Sequence, residues 1–158
     1  MKKQVWRPYV FWILLTEAVG ALAAALTREG TELYQTAIQK PPLSPPAIVF
    51  PIAWVLLYAL MGVGMARVAL SDREQARKNG LHIYLTQLAF NFFWSIIFFN
   101  FRNYGFAFLW LIALWALILW MILLFRKADR IASYLQIPYL LWVTFAGYLN
   151  AGVWLLNR

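Results

Sequence analysis

The chain has 158 residues, of which 63% are hydrophobic and 13% charged, whereas a soluble domain averages roughly 45–50% apolar and ~25% charged residues; a globule of this size cannot enclose so many apolar side chains, which excludes a water-soluble fold and points to a membrane protein. The net charge of +8 is scattered between apolar runs and forms no continuous basic surface, so nucleic-acid binding is excluded. With no cysteine and a single histidine, His82, disulfides, a thiolate nucleophile, sulfur-ligated metals and a His-rich metal site are excluded, and no cofactor is expected.

In chain order, five apolar stretches are long enough to cross about 30 Å of hydrocarbon: Tyr9–Leu26, Ala47–Leu70, Leu81–Phe101, Gly105–Phe125 and Ala132–Leu156. Backbone polar groups must be satisfied within each segment in lipid, so the stretches read as helices. The predicted fold is an all-α membrane bundle of five transmembrane helices, one domain over residues 1–158. The first stretch is too long for a cleavable signal peptide and carries Glu17 near its centre. An acid at that depth is either functional or a protonated group hydrogen-bonded to a neighbouring helix.

The connection Thr27–Pro46 is long and ends in Lys40-Pro41-Pro42-Leu43-Ser44-Pro45-Pro46. A stiff, Pro-rich loop of this length is expected to be a lid or binding element, with Pro45 and Pro46 in the first turn of the next helix. Ser71–Gly80 reads as a polar loop, Asn103 as the centre of a tight turn, and Arg126–Ile131 as the last link. Small residues four apart, Gly20/Ala24, Ala21/Ala25, Gly62/Ala66 and Gly147/Ala151, predict close helix packing within the chain or against a second copy.

The basic residues orient the bundle. Lys2, Lys3, Arg7, Arg67, Arg73, Arg77, Lys78, Arg126, Lys127 and Arg130 fall at one end, and Arg28, Lys40, Arg102 and Arg158 at the other. The richer end is expected in the cytoplasm, with the N-terminus, and in contact with anionic membrane lipid. The Pro-rich loop is then outside.

Aromatic residues exceed what membrane anchoring needs: nine Trp, eight Tyr and twelve Phe. Trp6, Tyr9 and Tyr104 suit the interfaces. Trp54, Trp94 and Trp142 instead lie roughly 12 Å or more below the outer ends of their spans, at ~1.5 Å per residue. An indole at that depth calls for an acceptor or a flat ligand. Gln87 and Asn91, four apart, share a helix face with Trp94, and Asn150 lies two turns beyond Trp142. Each amide either bonds between helices or lines a cavity. His82, at the edge of the third span, reads as an interface histidine. Together these residues describe an apolar, aromatic cavity under a stiff loop, suited to a flat hydrophobic ligand.

Three stretches also carry a family resemblance. They are Lys40-Pro41-Pro42-Leu43-Ser44-Pro45-Pro46 with Phe50-Pro51-Ile52-Ala53-Trp54 and Leu57-Tyr58; Gln87-Leu88-Ala89-Phe90-Asn91 through Trp94 to Phe98-Phe99; and Pro138-Tyr139-Leu140-Leu141-Trp142-Val143-Thr144-Phe145-Ala146 through Leu149-Asn150. The chain resembles the TspO/MBR family of tryptophan-rich sensory proteins, whose mammalian members are the translocator protein. The resemblance implies a five-helix bundle, commonly a homodimer in the cell membrane, with a pocket beneath the first loop. It implies ligands such as protoporphyrin IX, related tetrapyrroles and benzodiazepine-type drugs. Carried over, Trp54, Trp142, Asn91, Trp94 and Ala146 match the family's pocket, with Tyr58 and Gln87 in the same matching stretches, while Tyr34, Pro42 and Pro46 match its lid. Trp54 and Trp142 would also be the residues of any light-dependent porphyrin breakdown, the only catalysis it implies. Leu43 stands where many members have Trp, so stacking at the lid is expected to be weaker. The alternative function is a small proton-coupled multidrug exporter using Glu17.

Overall fold

The computed structural model describes residues 4–158 and consists, among those residues, of helices and connections without a strand. The helices are α1 (Trp6–Leu26), α2 (Arg28–Ala37), α3 (Val49–Ala69), α4 (Glu74–Ser95), α5 (Tyr104–Ala128), α6 (Arg130–Tyr134) and α7 (Ile137–Leu156). α4 runs on into a π-helical turn, Ile96–Asn100, and α6 and α7 form one span interrupted at Leu135 and Gln136. Five segments are therefore long and apolar enough to cross a membrane. Lys2 and Lys3 lie outside the described residues.

Three expectations about connections are corrected. Ser71–Gly80 is not a loop: α4 starts at Glu74, and only a short link joins it to α3. Glu74 favours the helix N-terminus and pairs with Lys78 at 2.7 Å. This polar stretch is helix that continues beyond the apolar zone, which composition alone does not distinguish from loop. Pro45 and Pro46 precede α3, and Pro51 is the proline in its first turn, where a missing N–H costs no intrahelical bond. The long connection also contains α2, whose Gly30, Leu33, Tyr34 and Ala37 follow the spacing of one helical face.

Helix α1 packs chiefly on α3, α4 on α5, and α5 on α7. Gly62 permits the first of these contacts, since a Cβ there would lie 2.6 Å from the Cα of Ile13. Gly147 makes no such close approach within the chain, where the nearest neighbour of a Cβ would be Leu111 at 3.8 Å. Tyr84, Tyr139, Met61, Met65 and Phe125 fill the centre, while Leu14, Leu56, Leu109 and Leu141 are exposed on the periphery. Apolar residues both inside and outside mark a bundle whose solvent is hydrocarbon.

At the end of the bundle rich in cations, Arg67 donates to both oxygens of Asp129, at 2.9 and 3.0 Å, and Asp129 Oδ1 accepts from the backbone N–H of Ala132 at 2.7 Å. One carboxylate thus closes the junction of α5 and α6 and ties it to α3. The first of these bonds, from Arg67, holds the Asp129 carboxyl below its ordinary range.

A candidate ligand cavity beneath α2

The opposite end of the bundle encloses a cavity of about 330 Å³. Tyr34 of α2 roofs it. Trp54 and Tyr58 of α3, Trp94 of α4, and Trp142 and Ala146 of α7 line its sides. These six are the predicted site residues that the fold brings together. The rings are arranged as a wall: Trp54 stacks on Tyr58 at 5.4 Å, and Trp54 meets Trp142 edge-to-face at 6.4 Å between centroids.

Four other predicted residues sit elsewhere. Gln87 and Asn91 share a face with Trp94, as their spacing requires, but belong to a buried hydrogen-bonded chain. Tyr58 donates its hydroxyl to Asn91 Oδ1 at 2.9 Å, the Asn91 amide donates to Tyr139 Oη at 2.7 Å, and Tyr139 donates to Gln87 Oε1 at 2.8 Å. Gln87 ends the chain on Met61 Sδ at 3.7 Å. The interhelical alternative therefore describes both amides. They hold Tyr58, which lines the cavity, and do not line it themselves. Pro42 and Pro46 are exposed in the roof strap, outside the lining.

Asn150 does both things the sequence allowed. It lines the cavity, accepts the Trp94 indole N–H at 3.1 Å and donates to the Tyr104 carbonyl at 2.8 Å. Glu17 also lines the cavity, on the same side of α1 as Gly20 and Ala24. His82 is exposed on the first half of α4, toward the opposite end. Among the described residues no group of His, Cys, Asp and Glu is arranged to hold a metal ion.

Sequence reasoning missed Phe50, Phe98 and Phe99 as lining residues. Two of these depend on the π turn, which rotates Phe98 and Phe99 so that both rings meet Tyr34, at 5.6 and 5.7 Å. Extra residues in a helix turn are frequent at functional sites, and no sequence signal announces this one.

The roof is pinned on both flanks. Gly30 of α2 lies so close to the Phe99 carbonyl that a Cβ would overlap it. Asn100 donates to the Leu26 carbonyl at 2.9 Å, satisfying an orphan acceptor at the end of α1. On the far flank Gln39 and Asn157 exchange two hydrogen bonds, at 3.0 and 2.8 Å. Tyr148 donates to the Pro42 carbonyl at 2.6 Å, and Pro41 packs against Gly152. Lys40 lies 5.1 Å above the Tyr34 ring and donates to the Gln35 carbonyl at 3.0 Å. Burial pushes the Tyr34 hydroxyl above its ordinary range, so it stays neutral. Leu43 is 84% exposed and contributes no wall.

The sequence matches a known family along almost the whole chain. The sequence model of the TspO/MBR family covers residues 8–155. The chain belongs to the TspO/MBR family. It is similar to Protein CrtK of Rhodobacter capsulatus, 37% identical over 76% of each chain. It is 33% identical to the Tryptophan-rich protein TspO of Chlorobaculum tepidum over 89% of each chain. The Translocator protein of Bos taurus is also 33% identical, over 97% of this chain and 92% of its own. Membership of TspO/MBR and the five apolar helices make this a multi-pass membrane protein.

Proposed function

We propose that this TspO/MBR protein binds and senses a flat hydrophobic ligand of the porphyrin class, with protoporphyrin IX as the leading candidate. The observation that carries the reading is the right-angled pair of Trp54 and Trp142, 6.4 Å apart on the cavity wall beneath α2. Indole faces bind flat rings by stacking, and an apolar site with few polar groups favours such ligands. The cavity is at the small end of ligand pockets, which run from ~300 to ~1,000 Å³. A macrocycle therefore extends past Ala21, Ala24 and Val55, which line the cavity yet are exposed at the membrane face. Its propionates are expected at the roof, near Lys40.

Binding is tested by quenching of tryptophan fluorescence. Protoporphyrin IX should quench the purified protein beyond a detergent blank, and Trp142→Phe should weaken the response; no quenching beyond the blank removes the reading. Light-dependent breakdown is a separate property of the same two indoles. Illumination of loaded protein with and without oxygen tests it, and product that persists in the Trp54→Phe plus Trp142→Phe variant argues against it. The cytoplasmic placement of the cation-rich end and a homodimeric state belong to the same proposal, supported by charge bias and resemblance. Accessibility labelling of single introduced cysteines and light scattering in detergent test them.

Proton-coupled export is the second reading, favoured by the presence of Glu17 in the cavity lining. Drug resistance conferred by the wild type and retained by Glu17→Gln would sink it.

A further inference from the structure

Glu17 lines a cavity whose lining contains no Lys, Arg or His. The ion pairs among the described residues are Arg28–Glu32, Arg67–Asp129 and Lys78–Glu74, and Glu17 belongs to none of them. A carboxylate at membrane depth without a cation is costly unless something completes it.

Glu17 shares the cavity lining with Tyr58 and Trp54. Gly20, one turn further along the same face of α1, approaches the Tyr58 ring so closely that a Cβ would collide with it. Tyr58 in turn stacks on Trp54 at 5.4 Å with 29° between the planes. The Tyr58 hydroxyl is committed to Asn91 at 2.9 Å, so Tyr58 offers this part of the cavity its ring. One acid and two stacked π systems, in a largely apolar cavity, form the arrangement that recognises an organic cation: the acid supplies charge, and the ring faces replace the hydration of the nitrogen.

We propose that the α1 side of the cavity is a cation subsite, in which Glu17 with the Tyr58–Trp54 stack binds the protonated or quaternary nitrogen of an aromatic amine. The aryl portion of such a ligand lies against Trp142 and Trp94. An anionic group is turned away from Glu17 toward the roof, where Lys40 sits over Tyr34. This inference rests on the cavity being the ligand site, and it adds the charge preference of that site.

The test uses two probes that differ only in charge: 4-(1-pyrenyl)butyl-trimethylammonium and its neutral carbon isostere, in which carbon replaces the nitrogen. Each is titrated against the full chain in uncharged maltoside micelles, with energy transfer from tryptophan to pyrene as readout and empty micelles as blank. The wild type is expected to bind the cation about tenfold more tightly than the isostere. The ratio should fall toward one in Glu17→Gln and take an intermediate value in Glu17→Asp, with thermal unfolding of each variant confirming that it is folded. Equal affinities in the wild type, or a preference that survives in Glu17→Gln, would overturn the inference and leave the cavity as a binding site. Failure of both probes to bind the wild type would remove the cavity reading and the inference together.

Discussion

Trp94 and Asn150 join α4 to α7 through a single hydrogen bond of 3.1 Å, and the same asparagine reaches the Tyr104 carbonyl at the start of α5 at 2.8 Å. One amide thus holds three helices at the level of the cavity. Asn150→Leu removes the acceptor of a buried indole N–H and the donor to a backbone carbonyl. It should lower stability by about 1–2 kcal/mol. Thermal unfolding in detergent, followed by far-UV circular dichroism, measures the loss, and an unchanged midpoint would show that the bond contributes nothing.

Tyr139 supports the wall from behind. Its hydroxyl connects Asn91 and Gln87 at 2.7 and 2.8 Å, and it is outside the cavity lining. Tyr139→Phe leaves buried amide groups without their partner and should cost about 1–3 kcal/mol. Trp142→Phe should act in the opposite sense, weakening ligand quenching more than it lowers the unfolding midpoint. Measuring both quantities on both variants separates support from contact.

Gly30 sets how closely the roof helix seats on the π turn. In Gly30→Ala the new methyl group meets the Phe99 backbone, which cannot rotate away as a side chain would. Helix α2 should lift, so hydrogen exchange in residues 31–37 should rise and ligand affinity fall. Protection equal to that of the wild type would show that the roof tolerates the displacement.

The Arg67–Asp129 pair predicts a pH dependence. Hydrogen bonding from Arg67, followed by the backbone bond from Ala132 and the guanidinium charge, outweighs burial and depresses the Asp129 carboxyl below its unfolded value of 3.8. A depressed folded value means that the stabilisation is fully present above 3.8 and is lost as pH falls below it, through the lower folded value. Asp129→Asn should therefore cost about 1 kcal/mol at neutral pH, a modest figure because the pair is partly exposed. The difference from wild type should vanish in strong acid. Unfolding curves of the two proteins across pH check the sign, and a constant gap would contradict it.

Leu43 has a positive φ of 67°, a region that leucine enters at a cost, and its side chain is 84% exposed. Leu43→Asn keeps the turn and relieves that cost, since asparagine tolerates the left-handed region. The expected gain is about 0.5–1 kcal/mol, without change in ligand affinity. A lower unfolding midpoint would indicate that the leucine makes contacts in the membrane that outweigh the strain.

Much of the architecture was legible because hydrocarbon imposes a simple rule on sequence. A spanning segment must be continuously apolar for about twenty residues, so Tyr9–Leu26 and Gly105–Phe125 announce themselves without reference to a partner. Charged stretches carry no such rule. Glu74–Gly80 and Arg28–Ala37 are helical, yet their composition suits loop equally well, and their helicity depends on end charges and on packing over the cavity.

Sequence alone determined the number of apolar spans and the shared face of Gln87, Asn91 and Trp94, because these follow from local composition and spacing along a helix. The tertiary structure decided what each face meets. It turned Trp54 and Trp142 toward one void and Gln87 and Asn91 toward Tyr139. It placed Phe98 and Phe99 against Tyr34 through a π turn, and set Glu17 in the lining of the same cavity as the Tyr58–Trp54 stack. Spacing gives the angle of a side chain about its own helix axis. The rotation and crossing of one helix against another come from close packing across the whole bundle, which no single segment encodes.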